Sequence, residues 1–415
     1  MRAEGLVALA SAFYFPMKFP AALSLAALVF PLALAAAERA VRFEKIVLTE
    51  QYFCDGLNAG DFNRDGKMDV VAGPYWYEGP SFKVRHEFYA AEPQELEKIP
   101  SNSMFSFVSD FNGDGWPDIL VLGRVLHHEA FWYENPGKAG GLWKKHFAVH
   151  RVLGESPQFI DIDGDGKPEL LAHWEGRWGW WAPDRADPTK PWVFTAVTEK
   201  GDYKEYYHGE GVGDINGDGR LDLILNDGWW EQPAVRGQPW IAHPFVFSKD
   251  RGGAQMYAVD VNGDGKNDVV TAMNAHEWGL SWFEQIKGKD GSIDFTEHRL
   301  MGTRAEEAKF GVAFSQPHAL TMADIDGDGL PDIVVGKRRW AHGPTGDVEP
   351  MATPVNYWFQ MKRDGKGGAT IVPHLIDDAS ATGTQIVAVD MNGDGVPDIL
   401  SASKLGVFVF ITHRP

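Results

Sequence analysis

"DINGDGRLD", residues 214–222, sets oxygen-bearing side chains at alternate positions, Asp214, Asn216 and Asp218, then Gly219 for a turn and Asp222 as the ninth residue. That is the ligand pattern of a calcium loop, which in helical hands joins two helices. Its flanks exclude helices here. "GEGVG" before it and "LILNDGWW" after it are glycine-broken or β-branched and aromatic, which reads as strand on both sides. A calcium loop between two strands needs a different scaffold.

Self-similarity supplies it. The same nine-residue pattern recurs as Asp61, Asn63, Asp65, Asp69; as Asp110, Asn112, Asp114, Asp118; and as Asp161, Asp163, Asp165, Glu169. Beyond residue 222 it returns as Asp260, Asn262, Asp264, Asp268; as Asp324, Asp326, Asp328, Asp332; and as Asp390, Asn392, Asp394, Asp398. Successive copies start 46 to 66 residues apart, a spacing that suits a four-stranded blade with loops of varying length. An aromatic strand follows each loop, from "YWYE" at 75 to "VFVF" at 407, and six units then show an outer-strand pattern such as "VRHEFY" at 84. The seventh unit runs out of chain at Pro415, while "FEKIVLTE" at 43–50 stands unclaimed ahead of the first. Pairing that segment with the seventh unit would close a ring and remove exposed strand edges. The expected fold is therefore all-β: a seven-bladed β-propeller over residues 38–415, with calcium loops between the first and second strands of each blade, closed by the N-terminal strand.

Composition agrees. Of 415 residues 44% are hydrophobic, with 16 Trp and 46 Gly, as many short strands joined by glycine turns require. Residues 21–37, "AALSLAALVFPLALAAA", are short and Ala-rich and end in small residues, so residues 1–37 are expected to be an export signal, with Met17 as an alternative start. No stable membrane span is expected once that signal is removed. Cys54 is the single cysteine, so no internal disulfide can brace the exported chain. Calcium would do so instead. The formal charge is −19, and the seven loops crowd 23 Asp or Glu side chains into small groups that repel one another unless neutralised. The same acidity excludes a nucleic-acid partner and leaves carbohydrate or protein.

The loop and blade spacing is similar to the FG-GAP/VCBS repeat families, which include the propeller of integrin α chains. Within that group "HGEGVGDINGDGRLDLILNDGWWEQP", "GGAQMYAVDVNGDGKNDVVTAMNAHEWGLSWFEQ" and "FSQPHALTMADIDGDGLPDIVVGKRRWAHGPTGD" resemble the propeller of fungal aldos-2-ulose dehydratase and its secreted bacterial relatives. That resemblance implies elimination of water from a keto-sugar. The cupin domains that follow the fungal propeller have no counterpart in this sequence, so only the propeller's chemistry is implied.

The repeat register itself locates a site. The residue six before each loop should stand near the channel mouth on the face opposite the loops; these residues are Asp55, Met104, Glu155, His208, Ala254, His318 and Thr384, five of them polar. Gln255, Tyr257 and Gln385 lie beside them, and Glu210 follows His208. Loops leaving the second strands return to that face with His127, His128, Glu129, His276, Glu277, Lys337, Arg338, His342 and Lys404. Candidate catalytic residues are thus His208, Glu210, His276, Glu277, His318, Lys337, Arg338 and His342. Candidate substrate-binding residues are Asp55, Glu155, Gln255, Tyr257, Gln385, and the loop tryptophans Trp278 and Trp340 for stacking on a sugar ring. His86, His146 and His298, on outer strands, read as surface or packing residues. Histidines near a sugar carbonyl suit proton abstraction and β-elimination, with a second divalent metal such as zinc or magnesium, or else Lys337 and Arg338, to hold the enolate. Two other classes remain open: a calcium-stabilised binding module without catalysis, and a polysaccharide lyase or glycoside-cleaving enzyme. Convergence of His208, His276, His318 and His342 on one point would favour an enzyme.

Overall fold

The computed structural model describes residues 40–415 except 97–99, 124–128, 204 and 250–251. Residues 1–37, expected to be an export signal, and His127 and His128 lie outside the described residues. Strands dominate, and no described helix is long and apolar enough to cross a membrane. The sheets are five of four strands and one of eight, and the eight-stranded sheet is two four-stranded meanders joined by parallel pairing of their first strands, Glu210–Gly213 and Met256–Val259. Each loop copy forms one antiparallel meander, as alternation of apolar and polar residues with glycine turns dictates. The arrangement is an all-β propeller.

Each nine-residue loop lies between the first and second strand of its meander, and its ninth residue opens the second strand, as in Asp222–Leu225. That residue is buried in every copy. In each it accepts the N–H of the loop's second residue: Ile215 to Asp222 at 2.8 Å, Phe62 to Asp69 at 2.9 Å, Met391 to Asp398 at 2.9 Å. In the six copies that carry Asp the other oxygen takes an N–H from the end of the third strand, as Gln232 does for Asp222 at 2.9 Å, whereas in the third copy Arg185 reaches the other Glu169 oxygen at 2.7 Å. A short side chain with two acceptors at this point pins loop, second strand and third strand together.

Neighbouring repeats are fastened to one another by a second device. In five repeats a residue at or just beyond the end of the third strand reaches back to the carbonyl of the second loop residue in the preceding repeat: Asn135 to Phe62 at 2.9 Å, Gln232 to Ile162 at 2.7 Å, Gln285 to Ile215 at 2.7 Å, and, two positions further on, Arg363 to Val261 at 3.3 Å and Arg414 to Ile325 at 3.0 Å. Between each adjacent pair of repeats lies a cluster of buried apolar side chains, and one of these clusters joins Leu57, Val70 and Tyr77 of the first repeat to Leu400, Val407 and Val409 of the last. The core is therefore a ring of interfaces, each worth about 1.5–3 kcal/mol per large side chain removed from water.

Five repeats share an outer clamp. A third-strand Trp is stacked by a His from the paired outer strand: Trp76 by His86, Trp132 by His146, Trp229 by His243, Trp282 by His298 and Trp358 by His374, with centroids 3.9 to 4.5 Å apart. Each His also meets a Glu or Gln two residues past the Trp, such as Glu78 at 2.6 Å from His86. The outer-strand histidines are thus packing residues.

The ring closes by strand exchange. Arg42–Thr49 pairs antiparallel with Gly406–His413, Phe43 opposite Thr412 and Val47 opposite Phe408. Deleting residues 40–50 would bare the edge of that last strand together with Phe408 and Phe410, which are 3% and 0% exposed in the closed ring. The truncated chain is expected to be insoluble or rapidly proteolysed; soluble protein with an unchanged melting curve would show another mode of closure.

Candidate metal centre at the channel mouth

His208, Glu155 and His318, placed with Asp55 at one register by the repeat, come to the same buried point, which Asp55 meets through Arg338, and the backbone shows how. His208 precedes Gly209, whose φ of 77° is left-handed and whose added Cβ would lie 2.0 Å from Asn226 Oδ1; only glycine fits there. Asn226 in turn donates to the His208 carbonyl at 2.6 Å. His318 sits at a register shift between Pro317 and Ala319, two residues after Gln316 with φ 59°. A bulge of this kind re-aims a side chain. Glu155 lies within another irregular stretch, between Leu153 and Gln158, with its N–H bonded to Tyr207 O at 2.7 Å.

Three ligand atoms form a near-equilateral triangle. Glu155 Oε2 is 3.4 Å from His208 Nε2 and 3.3 Å from His318 Nε2, and the two Nε2 atoms are 3.2 Å apart. A His276 nitrogen completes a group of four within 4.8 Å of one another. Arg338, just past the strand Asp332–Lys337, donates from Nη1 to His318 Nε2 at 2.6 Å, stands 3.6 Å from Glu155, and faces Asp55 at 3.8 Å through Nη2. Asp55 is held in turn by Tyr52 Oη at 2.7 Å and by the N–H and hydroxyl of Ser101, each at 2.8 Å.

Burial alone would raise the Glu155 carboxyl, but His208 and His318 beside it hold it well below the usual range. Burial and then the Arg338 charge push His318 well down, so its ring is neutral and can accept from Arg338. Asp55 stays low against its burial because Arg338, Lys404 and Tyr52 favour its anion. Glu155 Oε2, although buried, makes no hydrogen bond of good geometry. A buried acceptor in that state is what a cation would satisfy. Triangle edges of 3.2 to 3.4 Å match the roughly 3.3 Å edge of a tetrahedron with ligands at about 2.0–2.1 Å, the zinc distance. Three imidazoles and one carboxylate suit such a first-row ion better than magnesium, which prefers oxygen and water.

The mouth of the centre is an open cavity of about 610 Å³, lined by Asn274, His276, Glu277, His342 and Asp347 among others. Asp347 is the residue that sequence reasoning missed. Its Oδ1 lies 2.7 Å from His342 Nδ1 and 3.4 Å from His276 Nδ1, and its Oδ2 accepts the N–H groups of Ala341 and His342. These bonds outweigh burial and keep its carboxyl far below the normal range. His276 itself is lowered, chiefly by burial.

Other expected residues stand elsewhere. Glu277 is on the mouth but outside the four-atom group. Lys337, one residue from Arg338 on the same extended segment, faces away from it; it bonds Ser315 Oγ at 2.8 Å, and burial pushes it down to about 8. Glu210 is fully buried without a hydrogen-bond partner for either oxygen among the described residues, and burial holds it protonated well above the usual range, apart from the triangle. Gln255 and Gln385 bond inner-strand backbone on other repeats, Leu320 N at 3.0 Å and Ser106 N at 3.1 Å, and Tyr257 donates to Leu320 O at 3.3 Å. They stitch the channel wall, each amide engaged through both its oxygen and its nitrogen with inner-strand backbone. Trp340, expected to stack on a sugar, is 7% exposed and donates to Leu96 O at 3.2 Å, which leaves no open ring face. Trp278 is half-buried under the Arg304 guanidinium, 5.6 Å from its ring.

In the nine-residue loops the first, third and fifth side chains fold onto their own backbone; Asp214, for example, accepts from Gly217, Asp218 and Gly219 at 2.7 to 3.0 Å. In two of them carboxylates already converge as ligand sets, Asp161, Asp163 and Glu169, and Asp324, Asp326 and Asp332.

A model of FG-GAP-like repeats matches residues 110–172 and 260–335. Similar solved structures include an Agrocybe aegerita lectin that recognises non-reducing terminal N-acetylglucosamine, at 16% identity over 86% of this chain and 85% of that one, with a TM-score of 0.46. Others are the exotype rhamnogalacturonan lyase YesX, at 11% identity over 90% and 76% with a TM-score of 0.45, and the Bacillus licheniformis rhamnogalacturonan lyase PL11, at 13% over 90% and 77% with a TM-score of 0.40. The chain carries FG-GAP-like repeats arranged as a β-propeller.

Proposed function

We propose that this is an exported, seven-bladed propeller, counting the eight-stranded sheet as two blades, that binds calcium in its loops and eliminates water or an alcohol from a keto-sugar or keto-glycoside. The observation that carries the reading is the triangle of Glu155 Oε2, His208 Nε2 and His318 Nε2 with His276 beside it. Those four residues would hold a zinc-class ion once Arg338 gives up its hydrogen bond to His318 Nε2, and the ion when bound would polarise a carbonyl oxygen. The chain's own residues do the rest. Arg338, buried and charged at the edge of the triangle, stabilises the negative charge that develops on that oxygen. His342, 61% exposed at its side chain and tied by Nδ1 to Asp347, keeps Nε2 free to take the proton next to the carbonyl. The C–H electron pair becomes the enolate, re-forms the carbonyl, and expels the β-oxygen, which leaves as water or an alcohol after accepting that proton.

Metal analysis of the purified protein together with a screen against keto-sugars and keto-glycosides, followed by the ultraviolet absorbance of the enone product, tests the proposal. About one zinc-class ion per chain and turnover on at least one keto-sugar are expected. Metal-free protein with no turnover would return the chain to the calcium-stabilised binding modules.

A further inference from the structure

Two inter-repeat grooves on the loop face differ in size. Between the first and second repeats the groove is small, about 310 Å³, because Trp76 is capped by His86, His86 meets Glu78, and Phe62 and Phe88 pack on Trp143 at 5.9 and 5.3 Å. Between the third and fourth repeats the equivalent groove measures about 710 Å³. The repeat alignment gives the cause. Thr195 pairs with Trp180 where the clamp places His, Ala182 stands in place of Glu78, Ile162 in place of Phe62 and Val197 in place of Phe88. Four side chains on one wall are each smaller than their counterparts. Trp240, the counterpart of buried Trp143, is left half-buried on the groove, 6.1 Å from Trp180 and inclined by 53°.

From this we infer a second carbohydrate site: the groove between the third and fourth repeats takes a neutral oligosaccharide, with one pyranose ring on the Trp240 indole and Trp180 as the floor. An indole with one open face and a polar rim is the surface that an apolar sugar face prefers. Neutrality follows from the balanced charges that line the groove, Asp161, Asp163 and Glu199 against Arg177, Arg220 and Arg236, with Arg177 3.5 Å from Glu199 and Arg236 paired with Asp163. The site lies on the loop face, away from the channel mouth, and does not rest on the proposed chemistry.

The test titrates the full-length exported protein with cellotetraose, laminaritetraose and N,N′,N″-triacetylchitotriose, read by tryptophan fluorescence and by saturation-transfer NMR. Saturable binding of at least one is expected. Trp240→Ala should weaken it by about tenfold or more, and the pair Ala182→Glu with Thr195→His, which restores the plug found in the neighbouring repeats, should abolish it without lowering the melting temperature. No binding of any of the three sugars, or equal binding by Trp240→Ala and by the plugged variant, would overturn the inference.

Discussion

His208→Ala and His318→Ala are each expected to lower turnover on a keto-sugar by about two to four orders of magnitude, the range for losing a group that moves a proton or holds the reacting centre. Both side chains meet the single Glu155 oxygen, so either change removes one corner of the triangle and leaves the carboxylate short of a neighbour. That loss has a structural cost as well, because a buried anion stripped of a partner destabilises the fold. The measurement therefore needs melting curves beside rates, and the isosteric His208→Gln and His318→Gln, which keep an amide in the gap, separate the two effects. His86→Ala is the control: it removes a ring stacked on Trp76 at 4.1 Å on the outer edge and should leave the rate within about twofold. Full turnover in both pocket variants with an authentic substrate would eliminate this site.

Removing divalent ions should lower the melting temperature, and by more at pH 8 than at pH 5. If calcium binds the native loops alone, each site contributes about 2.7 kcal/mol at a hundredfold excess over its dissociation constant. The pH dependence follows from the ninth loop residues. Asp69, Asp222, Asp268 and Asp398 are pushed up to about 6, and Asp118, Asp332 and Glu169 to about 7, above all by burial. A carboxyl raised in the folded state contributes its stability below its unfolded value, near 4, and that stability is lost as pH rises through 6 to 7. The metal-free chain therefore weakens over this window. Calcium has least to restore at pH 5 and most at pH 8. Melting curves of dialysed protein with and without 1 mM calcium at both pH values check the sign, and an equal increment at both would refute the loop assignment.

Much of this architecture was legible because it repeats. Seven copies of one loop gave the meander, its aromatic third strand and the register that put Asp55, Glu155, His208 and His318 at one level. Periodicity could not say what happens where the repeat lapses. Asp347 sits in an irregular segment with no counterpart in other repeats, so only folding shows that it joins His276 and His342. Gln255 and Gln385 stood at a promising level, yet a long amide in a narrow channel satisfies a neighbouring strand's backbone first, since buried N–H and C=O groups outcompete an absent ligand. The fate of Trp340 depended on a carbonyl 244 positions away in the chain, beyond any local pattern.

The fasteners between repeats all point one way. Each is cast by a repeat onto the loop of its predecessor, so on a growing chain a loop receives its clasp only when the following repeat has emerged from the ribosome. The last of them belongs to Arg414, one residue from Pro415, and it grips the Ile325 carbonyl. The sixth loop is therefore clasped only once residue 414 has emerged, just after Gly406–His413 becomes free to receive Arg42–Thr49. Assembly and sealing thus meet in residues 406–414, and a chain cut before Gly406 would carry an open ring with its sixth loop unfastened.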